Sequence, residues 1–177
     1  HKGVLTDPCC GAGTIMIEAA QMARRMPAGR NCSFAFENWM PVDPAQWPKL
    51  LAASDADVRG PLKKKYVARD LKGDMIAKAQ ANAERAGVLD DIVFEVGDAT
   101  KLFSGPTGGA GLAVVTNPPY GERLSAANQR ALYLELGKAE RLAVVAPTSS
   151  LPSFKREFDD TLATSNGGLA VQFARVA

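Results

Sequence analysis

The chain has 177 residues, 46% of them hydrophobic, and a formal net charge of +2. That is enough apolar material for a core, so residues 1–177 read as one catalytic-size domain, and the near-neutral balance announces no polyanion partner. No apolar run approaches a membrane span and no signal peptide opens the chain, which excludes a helical membrane protein and leads us to expect a soluble, cytoplasmic one.

Val4-Leu5-Thr6 reads as a short strand almost at the first residue, so a fragment of a longer protein is expected. Asp7-Pro8-Cys9-Cys10-Gly11-Ala12-Gly13-Thr14 follows it and leads into a helix over 15–26, with Ile15, Ala19, Met22 and Met26 on one face. Gly11 and Gly13 let the backbone turn sharply and a ligand approach closely, and the helix start offers free N–H groups. A dinucleotide loop wants a third glycine where Met16 stands, so this is not a good nicotinamide site. Cys9, Cys10 and Cys32 form no disulfide framework, and the adjacent pair suits a tight turn. The only histidine is His1, so neither a zinc site nor histidine acid–base chemistry has an internal candidate, and no metal is expected.

Residues 27–62 interrupt the alternation of strands and helices as an insertion containing Phe34, Phe36, Trp39 and Trp47, with a helix expected over 45–58 after Pro44. Aromatics in such number make a satellite core or a lid, with base stacking as the other reading. Lys63-Lys64-Lys65 is a local basic run that fits a solvated face or a phosphate contact.

Tyr66-Val67-Ala68-Arg69 is the second strand and ends at Asp70, a carboxylate placed to accept hydrogen bonds from both hydroxyls of a ribose. The competing reading makes Asp70 a helix starter. Asp74 is a ready N-cap for a helix over 75–86 that stops at Gly87, which leaves Asp70 free for a ligand. Ile92-Val93-Phe94-Glu95-Val96 is the third strand, and Asp98 beyond it can accept from an adenine amino group or cap a short helical stretch near 100–103. A glycine-rich loop over 104–111 follows.

Leu112-Ala113-Val114-Val115-Thr116 has the length and branching of a buried strand, so Asn117-Pro118-Pro119-Tyr120 sits at its carboxyl end, where open α/β sheets keep their ligands. An exocyclic amino group is a poor nucleophile because its lone pair is delocalised into the ring. Two acceptors side by side can bind both N–H hydrogens and aim that pair. Asn117 offers a side-chain carbonyl, Pro118 a backbone carbonyl in a segment stiffened by Pro119, and Tyr120 a ring on which a flat base can stack. The alternative is a proline-rich turn with Tyr120 as ordinary packing. A helix over 126–138, a strand Arg141-Leu142-Ala143-Val144-Val145-Ala146 and a short helix over 149–158 come next. The end is a hairpin, with strands over 161–165 and 169–176 flanking Asn166-Gly167-Gly168.

The glycine loop, Asp70, Asp98, Asn117-Pro118-Pro119-Tyr120 and the terminal hairpin together resemble the class I S-adenosylmethionine-dependent methyltransferases that modify exocyclic amino groups. The closer resemblance is to bacterial large-subunit ribosomal RNA guanine-N2 methyltransferases, whose catalytic domain normally follows a THUMP RNA-binding domain. It is carried by Gly121-Glu122-Arg123-Leu124 after the central motif, Ile17-Glu18-Ala19-Ala20 after the glycine loop, and Phe34-Ala35-Phe36-Glu37-Asn38-Trp39 in the insertion. The fold implied is Rossmann-like α/β: a mostly parallel seven-stranded sheet with a C-terminal antiparallel hairpin and helices on both faces. The resemblance implies that Asp7, Gly11 and Gly13 hold the methionine end of S-adenosylmethionine, Asp70 its ribose and Asp98 its adenine, with Pro8, Leu71, Ala99 and Asn117 completing the cofactor-binding set. Asn117, Pro118, Pro119 and Tyr120 are the implied catalytic segment, acting on a guanine 2-amino group in ribosomal RNA, with Glu122 and Arg123 positioning RNA or bracing the loop. Lys72 departs from relatives, where an acid is common. Alternatives are a methyltransferase acting on tRNA guanine or DNA adenine, and a non-catalytic RNA-binding module on the same scaffold. With the RNA-binding domain and the segments before the first strand missing, weak cofactor binding and poor RNA methylation by this chain alone are expected.

Overall fold

A computed structural model describes residues 4–30, 32–39, 43, 45–103, 111–120 and 125–177. Pro44, residues 104–110 of the glycine-rich loop, and Gly121, Glu122, Arg123 and Leu124 lie outside the described residues.

The branched and apolar runs form seven strands: β1 Val4–Asp7, β2 Tyr66–Asp70, β3 Ile92–Val96, β4 Leu112–Thr116, β5 Arg141–Pro147, β6 Asp160–Asn166 and β7 Leu169–Val176. They make one sheet in the order β3-β2-β1-β4-β5-β7-β6. Strands β1 to β5 pair in parallel, while β7 pairs antiparallel with both β5 and β6. The expected sheet with its terminal hairpin is thus the observed one. After β1 the chain builds outward through β2 and β3, then crosses back to lay β4 on the other side of β1. In open α/β sheets such a reversal is where a crevice forms, here between the carboxyl ends of β1 and β4.

Two cores cover opposite faces of the sheet. Helices α1 (Thr14–Ala23) and α3 (Gly73–Arg85) bury Met16, Ile17, Ala20, Ile76, Ala79 and Ala83 with Ala68 of β2. On the other face α4 (Ala126–Leu136) packs Leu132, Tyr133 and Leu136 against Val114, Leu142, Val144 and Ala146. The period of two in a strand sends Ala143 and Val145 away from that core. They join Ile15, Val115, Leu162 and Phe173 along an apolar groove of about 510 Å³, in which Leu162 is 67% and Phe173 52% exposed.

Local expectations need four corrections. Helix α1 stops at Ala23 because Arg25 takes a left-handed φ of 55° ahead of Pro27. Its buried face is Met16, Ile17 and Ala20; Met22, expected inside, is 76% exposed. The N-cap of α3 is Lys72, and Asp74 lies within the first turn, where its charge complements the helix dipole. The segment after β5 is a 3-10 turn, Thr148–Phe154, with Pro152 inside it in place of a longer helix.

In the insertion, α2 (Gln46–Asp55) brings Trp47 edge-on against Phe34 and Phe36 at 5.6 and 5.2 Å between ring centroids, and the two phenylalanines stack at 5.5 Å. This is the satellite aromatic cluster; Trp39 stays outside it, 63% exposed. The insertion is fastened through buried Asp91, whose carboxylate accepts from Leu62 N at 2.6 Å and Arg24 Nη1 at 3.2 Å. Arg24 Nε also donates to Arg59 O at 3.0 Å.

Gly137 closes α4 with an ordinary helical φ of −62°, so its lack of a side chain is a matter of space. A Cβ there would stand 2.0 Å from the Phe154 carbonyl oxygen, while one at Gly60 would meet nothing within 4 Å. Gly137→Ala must push the Phe154 backbone off its stack on Tyr133, and a loss of about 1–3 kcal/mol is expected, the range for overpacking. Urea unfolding beside Gly60→Ala checks this, and equal midpoints for the two variants would refute it.

Candidate functional site

The glycine loop leaves β1 at Asp7, whose side chain is 1% exposed. Asp7 Oδ1 accepts from the Thr116 hydroxyl at 2.7 Å and from Cys9 N at 3.1 Å. The first bond ties the last residue of β1 to the last residue of β4 across the crevice. Burial pushes the Asp7 carboxyl up to about 6; the bonds from Thr116 and Cys9 work against that, and the nearby Asp70 charge adds to it. Burial likewise pushes the Cys10 thiol up to about 12 and Cys9 higher still, with Asp7 and Asp70 adding to both. Neither sulfur is an activated nucleophile, and the structural reading of the pair holds.

Cys10 N donates to Arg69 O at 2.8 Å and Gly13 N to Cys10 O at 2.9 Å, so the loop is tacked to β2 and folded on itself. Gly11 and Gly13 have φ of 53° and 88°, which side-chain-bearing residues rarely adopt. Gly13 is also crowded: a Cβ there would lie 3.0 Å from Ala79 Cβ of α3. Gly11 is less crowded: a Cβ there would have only Met75 Cε within 4 Å, at 3.8 Å.

Asp70, at the end of β2, joins two loops. Its Oδ2 accepts from Gly11 N at 3.0 Å and its Oδ1 from Lys72 N at 2.9 Å. The second bond steadies the entry to α3, so the helix-starter reading also describes part of what Asp70 does. Each carboxylate oxygen keeps a lone pair beyond the one it uses here. One step further along the sheet, Gly97 N donates to Asp70 O at 2.9 Å and carries the chain to Asp98. Asp98 Oδ1 accepts from Thr100 N at 2.9 Å and Thr100 Oγ1 at 2.8 Å, capping a 3-10 turn, Ala99–Lys101. Those bonds, the hydroxyl first, hold the Asp98 carboxyl below the usual carboxylate range. The capping role is therefore occupied by Oδ1, while Oδ2 has no bond among the described residues.

Beyond Thr116, Asn117 is exposed, Pro118 buried, and Pro119 and Tyr120 half-buried. Asn166 Nδ2 donates to the Tyr120 hydroxyl at 2.5 Å. Direct bonds thus join Asp7 to Thr116, the residue before the Asn-Pro-Pro-Tyr segment, and Gly11 to Asp70. Pro8 is buried in the loop, and Leu71 projects into solvent, 66% exposed. The side chain of Ala99 turns into the α4 core, which leaves only its backbone for a ligand. Thr116, Thr100 and Asn166 were not anticipated. Thr116 was readable as the one hydroxyl in an otherwise apolar strand, whereas nothing near Asn166 in the sequence points to Tyr120.

Residues 1–162 match the family described as RMKL-like, methyltransferase domain. A ribosomal RNA large subunit methyltransferase K/L from Shewanella baltica is 37% identical over 182 residues, covering 96% of this chain and 25% of the relative. The chain therefore spans about a quarter of the length of such relatives. Among solved structures, SMU.472 complexed with SAH (S-adenosylhomocysteine) superposes with a TM-score of 0.85 at 27% identity, over 98% of this chain and 48% of that one. A protein described as a predicted N6-adenine-specific DNA methylase from Listeria monocytogenes gives 0.79 at 26% identity, over 97% and 46%. With a crevice at a strand-order reversal, a glycine loop clasped to a carboxylate, and this match over most of its length, the chain belongs to the RMKL-like methyltransferase domain family.

Proposed function

We propose that this domain methylates the exocyclic N2 amino group of a guanine in ribosomal RNA, in the cytoplasm, with S-adenosylmethionine as donor. The observation that carries the reading is the pair of neighbouring carboxylates, Asp7 and Asp70, held by neutral partners at the glycine loop. Two anions whose hydrogen-bond donors among the described residues are neutral fit a ligand that is itself positive at its amino-acid end and at sulfur. The uncrowded side of Gly11, where a Cβ would meet only Met75 Cε, and the spare lone pairs on Asp70 fit the rest of such a ligand.

When bound, S-adenosylmethionine supplies a methyl already activated by cationic sulfur. The residues then bind and orient. Asp7, Pro8, Gly11 and Gly13 take the methionine end, Asp70 the ribose hydroxyls, and Asp98 through Oδ2 the adenine amino group, with Leu71 and the Ala99 backbone flanking the nucleoside. The Asn117 side-chain carbonyl and the Pro118 backbone carbonyl accept the two N–H bonds of the acceptor amine and aim its lone pair. The nitrogen becomes positive as the new bond forms, and the same two carbonyls stabilise that charge. The proton leaves afterwards to water, so no internal histidine is needed. Positioning does most of the work. In this reading the RNA grip comes mainly from parts of the relatives' length beyond this chain, a THUMP-type domain among them, with no metal and no membrane involved.

A second reading, N6 of adenine in DNA, is favoured by the name of the Listeria neighbour. Mass spectrometry of nucleosides after the reaction separates the two: N2-methylguanine supports the first reading, and N6-methyladenine overturns it. In the same assay Asn117→Ala is expected to lower kcat by about 100-fold or more, the scale for removing one preorganised charge-stabilising group. An unchanged kcat would refute its role.

Asp70→Ala removes the charged acceptor for the ribose, so S-adenosylhomocysteine affinity should fall by roughly 10- to 100-fold in calorimetric titration. Retained affinity would break the assignment.

Asp7 predicts a trade between stability and function. Its folded-state pKa is raised from 3.8 to about 6, so its contribution to stability is fully present below pH 3.8 and is lost as pH rises through 6. The shift corresponds to about 3 kcal/mol of strain in the ligand-free protein at neutral pH. Asp7→Asn should therefore be more stable relative to wild type at pH 7.5 than at pH 4.5, while losing S-adenosylhomocysteine affinity. Urea midpoints at the two pH values test this, and a pH-independent difference would count against it.

A further inference from the structure

Tyr120 is anchored at its far end. Its hydroxyl accepts from Asn166 Nδ2 at 2.5 Å, across 46 residues of chain. Asn166 closes β6 in register with Leu169, and between them Gly167 and Gly168, with φ of 57° and 83°, form the two-residue turn that matches the twist of a hairpin. Every residue of β6 is exposed, yet its position is set, because β7 runs along β5 from Leu142↔Val176 to Pro147↔Val171. Hairpin geometry thus delivers the Asn166 amide to a residue of the Asn-Pro-Pro-Tyr segment.

The bond is poorly suited to stabilising the fold. Asn166 is exposed and Tyr120 half-buried, and a hydrogen bond open to water adds little to stability. It is well suited to holding a ring. A tyrosine side chain turns about two torsions; a bond at the para oxygen fixes the first and the direction of the ring's long axis, while the second turns about a line through that oxygen and is left to the packing beside the ring. Pro118 and Pro119 stiffen the backbone under the ring, and Asn166 stiffens the ring itself. A platform for a flat base needs its ring held in place to within about 0.5 Å.

We propose that Asn166 is a positioning residue for the methyl acceptor: through the Tyr120 hydroxyl it sets the ring on which a planar nucleobase stacks, and it places the tip of the β6–β7 hairpin at the rim of the acceptor site. This rests on Tyr120 being the base platform of the proposed function. The cofactor residues other than Asn117 lie at or beyond the ends of β1, β2 and β3, so Asn166 acts on the acceptor side.

The test uses the full chain as wild type, Asn166→Ala, Tyr120→Phe and the double variant, with labelled methyl transfer to protein-free large-subunit ribosomal RNA scored as total methyl in the RNA, whichever base receives it. Each single change should lower kcat/KM by about fivefold, the worth of one net hydrogen bond, with S-adenosylhomocysteine affinity and melting temperature unchanged. The double variant should fall no more than about twofold below the weaker single one, because both changes remove the same bond. Losses that multiply to about 25-fold, or a matching fall in cofactor affinity or melting temperature, overturn the proposal. A second measurement needs no substrate. The chain has three tyrosines, Tyr66, Tyr120 and Tyr133, so Cζ-labelled tyrosine gives three carbon signals, and Tyr120 is the one missing in Tyr120→Phe. In Asn166→Ala that signal should move while the other two stay. A stationary signal overturns the proposal even if the wild type proves inactive on ribosomal RNA, an outcome that would sink the functional reading instead.

Discussion

The hydrogen bond from the Thr116 hydroxyl to Asp7, 2.7 Å long and fully buried, holds the candidate site to the sheet. It spans the place where strand order reverses, so without it the ends of β1 and β4 would be joined at that point only by the backbone ladder below. Asp7 then has one oxygen committed and cannot swing away from the loop it begins. The loop runs on to Gly11, whose N–H is taken by Asp70, and the end of β2 is drawn into the same cluster. Three strand ends are fixed by bonds that each use a carboxylate as acceptor and a neutral donor.

That choice of donors has an electrostatic consequence. An arginine or lysine at the same place would satisfy Asp7 and Asp70 more strongly, and would also occupy the space and charge a cationic ligand needs. Arg69 shows the alternative one residue away: its guanidinium is engaged by Glu95, at 2.5 and 3.1 Å, and leaves Asp70 to the loop. Gly97 makes room for this arrangement, since a Cβ there would lie 2.8 Å from Arg69 Cδ. The Arg69–Glu95 ion pair is therefore one strand position from Asp70, and the carboxylates of Asp7 and Asp70 are left to neutral donors.

Much of this was legible in the sequence, for identifiable reasons. Buried parallel strands are runs of branched residues closed by a polar residue, so β2, β3, β4 and the acids or amide at their ends stood out. The face of α1 did not. Its residues from Ile15 to Ala23 are nearly all apolar, so a stripe through Met22 fits the period as well as one through Met16, Ile17 and Ala20; the crowding of Gly13 against Ala79 decides between them. The N-cap of α3 was misplaced because Asp74 has the right chemistry, yet Asp70 reaches the N–H of Lys72 first. Asp98 kept both its readings because a carboxylate has two oxygens and only one is spent on Thr100. The Asn166–Tyr120 contact had no local signature, since a pairing over 46 residues is written in the hairpin register and not in either neighbourhood.

The distribution of burial explains how one small sheet carries both a rigid scaffold and an accessible site. Thr116 and Pro118 are buried while Asn117 between them is exposed, so the alternation of β4 continues one residue past the ladder and turns the amide outward. The following proline ring then prevents the chain from relaxing into a helix or another strand. A single exposed amide on a locked backbone suits the alignment of a weak nucleophile that we propose, because in that reading the two carbonyls are already oriented before the acceptor arrives. The cost of ordering them was met during folding, by Tyr133 stacked on Phe154 and the rest of the α4 core beneath. In the proposed reading the chemistry depends on alignment and the donor brings its own activation, so an amide, a peptide carbonyl and a phenol ring suffice at this site.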